Sequence, residues 1–308
     1  GDSGGSTSGA LTKTGAGTLI LSGTNTYTGA TTISAGVLRA ANAAALGATT
    51  NGTTVADGAA LELSGGLTFN AEALTLNGTG ISSGGALRNV SGSNTYQGAI
   101  TLASATRINS DTTSTLTLDV ASSNAITGTF NVTFGGAGNI TVADPIATST
   151  GTLTKDGAGT LTLSGTNTYT GDTTINAGTL VAGTNAPSGS AGALGNSTNA
   201  VLLGDTTGSS NAALVTNGAF TIARDITVQS GSSGTATIGG NSAHSSTFTG
   251  NVVLNKNVIL TAVSSGTATF STGVISGSYA VTKTDVGTVV LSGTNTYTGD
   301  TTINAGTL

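Results

Sequence analysis

Short apolar runs alternate with threonine and serine along the chain and are broken at close intervals by glycine. In Thr160-Leu161-Thr162-Leu163 the leucines fall on one side of an extended strand and the threonines on the other. The same alternation predicts short strands over Ala60–Leu63, Leu74–Leu76, Thr115–Leu118 and Asn251–Leu254. A spacing accompanies the alternation. Gly159-Thr160-Leu161 returns as Gly178-Thr179-Leu180, Gly17 and Leu19 return as Gly36 and Leu38, and Gly287 and Val289 return as Gly306 and Leu308. A return of about 20 residues is one coil of a solenoid.

The expected fold is all-β: a right-handed, single-stranded parallel β-helix with coils of about 19–22 residues, continuous over residues 1–308. One coil cannot bury its own apolar side chains, but stacking coils about 4.8 Å apart pairs every strand edge and builds apolar ladders inside. Leu19, Leu38, Leu161, Leu163, Ile175 and Leu180 are the inward positions this predicts. Gly159, Gly178 and Gly306 open the strand units, and Gly165, Gly171 and Gly178 are expected to supply positive φ at turns. Asn185–Gly192, containing Pro187, is expected to protrude as a loop.

A longer repeat contains the coil pattern. Residues 11–38 read LTKTGAGTLILSGTNTYTGATTISAGVL, residues 153–180 read LTKDGAGTLTLSGTNTYTGDTTINAGTL, and residues 281–308 read VTKTDVGTVVLSGTNTYTGDTTINAGTL. Weaker copies stand at 91–102 (SGSNTYQGAITL) and 247–254 (TFTGNVVL), with Phe248 in the tyrosine slot. Tyr27, Tyr96, Tyr169 and Tyr297 share that slot but are several coils apart, which predicts packing over inter-coil turns and no continuous stacking platform.

Composition narrows the class. Hydrophobic residues make up 36% and charged residues 7%, so the surface must be built from Thr, Ser, Asn and Gly, and charge-driven disorder is excluded. With Gly at 49 and Thr abundant, strands are favoured over helices. A net charge of −5 and eight scattered basic residues argue against nucleic acid, which is bound by clustered Lys and Arg. No apolar run approaches the roughly 18 residues of a spanning helix, so no membrane insertion of this segment is expected. Cysteine is absent, which is compatible with threading of an unfolded chain through a pore. The lack of an initiator Met and of a signal peptide reads as a piece of something larger.

The string GAGTLTLSGTNTYTGDTTINAGTL resembles the autotransporter-associated β-strand repeat, also called the passenger-associated transport repeat. That resemblance implies an autotransporter passenger domain, secreted by the type V route to the cell surface through a C-terminal outer-membrane translocator barrel. It also implies that the repeats help the passenger fold and emerge. The expected partners are then that barrel, the adjoining coils and, for an adhesive face, host or cell-surface glycans.

Parallel β-helices also include polysaccharide-cleaving enzymes, which need paired carboxylates. Here Asp57, Glu62, Glu72, Asp111, Asp119 and Asp144 are dispersed, Asp172 and Asp300 are replaced by Ala30 in the first copy, and Asp156 by Thr14 and Thr284. His244 is the sole histidine and reads as an exposed turn residue, while Gly135–Asn139 lacks the Asp of a calcium-binding nonapeptide. No catalytic, metal or cofactor residue is expected. Lys13, Lys155 and Lys283 share a slot and read as surface charges that keep a Thr-rich face soluble. Thr-x-Thr stretches suggest a hydroxyl array, but the pattern loosens between the strong copies, which predicts no long row in register. The expected function is a non-enzymatic extracellular structural stalk. The alternatives are an adhesin or self-association surface, and a filament in which the coil at Gly306–Leu308 stacks on Leu11–Lys13 and Thr18–Leu21 of another copy.

Overall fold

The computed structural model describes residues 9–121 and 123–308, so the expectation of a partial coil at the extreme N-terminus falls mostly outside the described residues. The chain divides into two compact units that meet in sequence at Gly151 and Thr152. Each is a right-handed parallel β-solenoid with three strand-bearing sides, and the strands of the described residues pair in parallel.

In the first unit one side stacks Leu11–Lys13, Thr31–Ile33, Thr53–Val55, Leu74–Leu76, Ile100–Leu102, Ile126–Gly128 and Ile146–Ala147 in that order. A second side stacks Thr18–Leu21, Gly36–Ala40, Ala59–Ser64, Leu87–Ser91, Thr106–Ser110 and Val132–Gly135. The third begins at Thr68–Phe69 and continues through Ser93–Tyr96, Thr115–Leu118 and Asn139–Val142. In the second unit the corresponding sides start at Leu153–Lys155, Thr160–Leu163 and Thr221–Ile222.

Alternation decides what faces inward. Leu161 pairs with Leu180, Leu180 with Leu214, Leu214 with Ile238 and Ile238 with Leu260, all completely buried. Leu163 and Ile175 are equally buried, as is Leu38, whereas its register partner Leu19 is half-buried. Each rung that fully buries a Leu or Ile side chain contributes roughly 1.5–3 kcal/mol, and only stacked neighbours make that burial possible.

Two expectations are corrected here. On one side of the first unit the strand register does not lapse: Thr12, Thr32, Thr54, Thr75, Thr101 and Thr127 form one outward row of consecutive register partners. Turn length varies between these coils while strand phase is kept, so loose sequence spacing conceals an unbroken row. Of the three turn glycines, Gly178 has positive φ (71°), but Gly165 and Gly171 are not among the left-handed residues. Gly29 and Gly299, at the Gly171 slot of the other copies, show another need: a Cβ there would lie 2.6 Å from Gly9 O and 2.2 Å from Tyr279 C. Close backbone approach, not φ, demands glycine at that slot. The Asn185–Gly192 loop is exposed over Ser188–Ser190, but Ala186 and Gly192 are buried at its base.

Candidate functional site

Alternation places the repeat lysine on the same strand face as the leucine or valine two residues earlier, and the structure keeps it there. Lys155 stands in register with Ile175, and Lys13 with Ile33, at the head of inward ladders. Lys283 lies between Leu260 and Ile303. The three lysines are 2%, 7% and 0% exposed respectively, which overturns the reading of them as surface charges. Their aliphatic stems fill a ladder position while the ammonium reaches the turn beyond the strand.

That turn is a cage of carbonyls. Lys155 Nζ donates to Asp156 O (2.7 Å), Gly157 O (2.7 Å) and, from the following coil, Ala177 O (3.0 Å). Lys13 Nζ donates likewise to Thr14 O, Gly15 O and Ala35 O at 2.9, 2.7 and 2.9 Å. Lys283 Nζ donates to Thr284 O, to Asp285 O (2.6 Å) and to Ala305 O (3.2 Å). An ammonium has three donors, and the cage uses all of them. Burial pushes the Lys283 ammonium below the ordinary lysine range, partly offset by the nearby Asp285 carboxylate.

Glycine closes each cage. Gly36, Gly178 and Gly306 have φ of 69°, 71° and 72°, and a Cβ on Gly178 would lie 2.4 Å from Gly157 O and 2.7 Å from Lys155 Nζ. Gly159 contributes from below, its carbonyl accepting the Thr179 amide at 3.2 Å. Asp285 replaces Gly157 in the third copy and keeps a left-handed φ of 60°, which Asp tolerates better than most residues.

A second clasp follows in each copy. The hydroxyls of Tyr27, Tyr169 and Tyr297 hydrogen-bond Thr31, Thr173 and Thr301 at 2.7, 2.9 and 2.8 Å. Tyr169 is fully buried, with burial pushing its phenol up to about 12, while Tyr27 and Tyr297 are half-buried. In the first two copies the next coil supplies the other half. Asn25 and Asn167 donate from Nδ2 to Ala45 O and Ala193 O, both at 2.7 Å. Gly47 and Gly195 lie against the tyrosine rings, where a Cβ would be 2.7 and 2.6 Å from Cε2. The Ala-Leu-Gly segments that follow the strong copies are therefore receptors for the preceding coil's tyrosine. The weaker copies diverge: Tyr96 donates to Glu72 O (2.8 Å), and Phe248 stacks on Phe270 with centroids 4.8 Å apart.

The sequence reading missed a surface charge ladder in the first unit. Arg39 donates to Glu62 at 2.9 and 2.7 Å, Arg88 approaches Glu62 at 3.7 Å, and Arg88 pairs with Asp111 at 2.9 and 2.8 Å. Alternating charge signs about one coil apart were the signal that could have revealed it. His244 is exposed and pairs with Ser242 Oγ at 3.1 Å. No group of three or more His, Cys, Asp or Glu poised for a metal occurs among the described residues.

These clasps lie within segments that match a known family: residues 11–40, 153–182 and 281–308 each match the passenger-associated-transport-repeat. The molecule is a parallel β-solenoid that carries three matches to this repeat, which indicate an extracellular or cell-surface location. It is similar to the Adhesin BmaC autotransporter of Brucella suis biovar 1 (strain 1330), being 32% identical over 303 residues. That similarity covers 96% of this chain and spans 7% of the relative. No solved structure matches the chain.

Proposed function

We propose that the chain is a non-enzymatic stalk segment of a cell-surface autotransporter, whose repeats act as coil-to-coil latches during folding and export. The observation that carries this reading is the cage bond from Lys155 to Ala177 O, repeated by Lys13 to Ala35 O and Lys283 to Ala305 O. Each bond requires the next coil to be docked, and withdrawing the ammonium would leave the turn carbonyls of two coils without their shared donor. Sequential docking then favours forward movement of an emerging chain, with folding energy supplied coil by coil. The translocator barrel is the partner this role implies. The test is surface display of the parent protein with Lys13, Lys155 and Lys283 all changed to Met. Slower appearance of protease-accessible passenger at the cell surface supports the role, and display at the unaltered rate overturns it.

A second reading, direct adhesion or self-association, is favoured by the outward threonine row and by the similarity to an adhesin. Flat hydroxyl-lined faces suit contact with cell-surface glycans or with a second copy. Loss of cell binding on changing Thr54, Thr75 and Thr101 to Lys, with display unaltered, would move this reading ahead of the stalk.

A further inference from the structure

Glu72 and Arg224 hold equivalent places in the two units. Residues 46–55 and 194–203 align without a gap, from Leu46-Gly47 and Leu194-Gly195 to Val55 and Leu203. Glu72 and Arg224 each stand two residues before the next strand of that side, Leu74–Leu76 and Ile226–Val228. Both face the tyrosine clasp of their unit, Glu72 interacting with Tyr27 and Arg224 with Tyr169. Both are buried, at 3% and 0% exposure. Their charges are opposite.

In the second unit this place holds a cation. Arg224 donates from Nη1 to Leu194 O (2.6 Å) and from Nε to Asn199 O (3.2 Å), and Asp172 and Asp225 supply negative charge nearby. In the first unit Ala30 and Ala73 stand at the positions of those two aspartates. Glu72 Oε1 accepts a hydrogen bond from Thr53 Oγ1 at 2.5 Å, and no basic side chain pairs with this carboxylate among the described residues. Leu46 O, the counterpart of Leu194 O, receives a long hydrogen bond of 3.4 Å from Thr31, the register partner of Thr53. A buried carboxylate, two hydroxyls and an under-used carbonyl are therefore gathered where the other unit places a guanidinium.

We propose that the first unit binds a hard divalent cation, calcium in an extracellular setting, through the Glu72 carboxylate, the Thr53 hydroxyl and the Leu46 carbonyl, in the place of the Arg224 guanidinium. A divalent cation on one carboxylate leaves a single positive charge, the same as arginine carries. All-oxygen ligation suits calcium, and a single carboxylate puts the affinity at the weak end, about 10⁻⁴–10⁻³ M as in extracellular modules. The competitor is a proton: burial pushes the Glu72 carboxyl up to about 7, with the Thr53 hydrogen bond opposing. The titratable groups that interact with it are the phenols of Tyr27 and Tyr96.

The test uses the purified chain at pH 7.5. Terbium chloride, excited through tyrosine, should give saturable luminescence that calcium chloride displaces. Calorimetry in two buffers of different ionisation enthalpy should show proton release on calcium binding. Glu72→Gln and Thr53→Val should each weaken binding at least tenfold; the valine is what the second unit carries there, at Val201. Retained strand circular dichroism and melting in both variants would separate lost ligands from lost fold. Absence of saturable binding in the unsubstituted chain up to roughly 10 mM calcium, tenfold beyond the weak extracellular range, overturns the proposal. Binding that survives in both folded variants overturns it as well.

Discussion

Lys155 Nζ lies 3.0 Å from the carbonyl oxygen of Ala177, so a side chain on one coil is bonded to the turn of the next. Removing its charge while keeping its length exposes what that bond contributes. Lys155→Met retains the ladder contact but leaves three turn carbonyls without their shared donor. Hydrogen bonds to charged groups contribute about 1.5–3 kcal/mol, and orphaned acceptors cost more. Lys155→Met is therefore expected to lower unfolding free energy by about 2–4 kcal/mol in urea titrations. An unchanged midpoint would show the cage to be energetically idle.

The tyrosine clasp separates shape from hydrogen bonding. Tyr169→Phe removes only the bond to Thr173 and should cost about 1 kcal/mol. Gly195→Ala should cost more, because φ is 75° and the new Cβ would stand 2.6 Å from Tyr169 Cε2. Gly23→Ala is the control, since a Cβ there meets nothing within 4 Å. Thermal melts that rank Gly23→Ala as damaging as Gly195→Ala would contradict the close-approach role.

Much of this fold is legible in the sequence because alternation and the coil return act locally. Leu161 and Leu180 are spaced by one coil and meet as register partners. The same alternation places Lys155 on the inward face of Leu153, yet the general solubility of lysine hides that placement until its three acceptors are seen. Those acceptors are main-chain carbonyls, which carry no side-chain signature. The threonine row and the charge ladder were obscured because coils of unequal length keep strand phase only in three dimensions. Glu72 and Arg224 were hardest to read, since nothing in their own segments announces the tyrosine clasp they face.

The charge ladder gives a salt-dependent expectation. Glu62 is 5% exposed between Arg39 and Arg88, whose side chains remain more than a third exposed. Glu62→Gln leaves the two guanidinium groups on the rungs either side of it without the intervening carboxylate. Solvent screening of the arginines limits the loss to about 1 kcal/mol. The penalty should shrink in 1 M salt, where the Debye length falls to about 3 Å. A penalty that is independent of salt would assign Glu62 a packing role instead.

Glu72 sets the pH dependence of the first unit in calcium-free buffer. Its folded-state value is raised from 4.5 to about 7, chiefly by burial. A raised carboxyl binds its proton more tightly folded than unfolded, so its contribution to stability is full below the unfolded value. That contribution is lost as pH rises from about 4.5 through about 7, and changes little above. The loss is bounded at about 3.5 kcal/mol, taking about 1.4 kcal/mol per unit of pKa difference. Urea midpoints of the unsubstituted chain should therefore fall between pH 5 and pH 8 by more than those of Glu72→Gln, whose amide does not titrate. Saturating calcium should remove most of that difference by favouring the ionised carboxylate in the folded state. Parallel pH profiles for the two proteins, without calcium, would show that Glu72 does not govern this window.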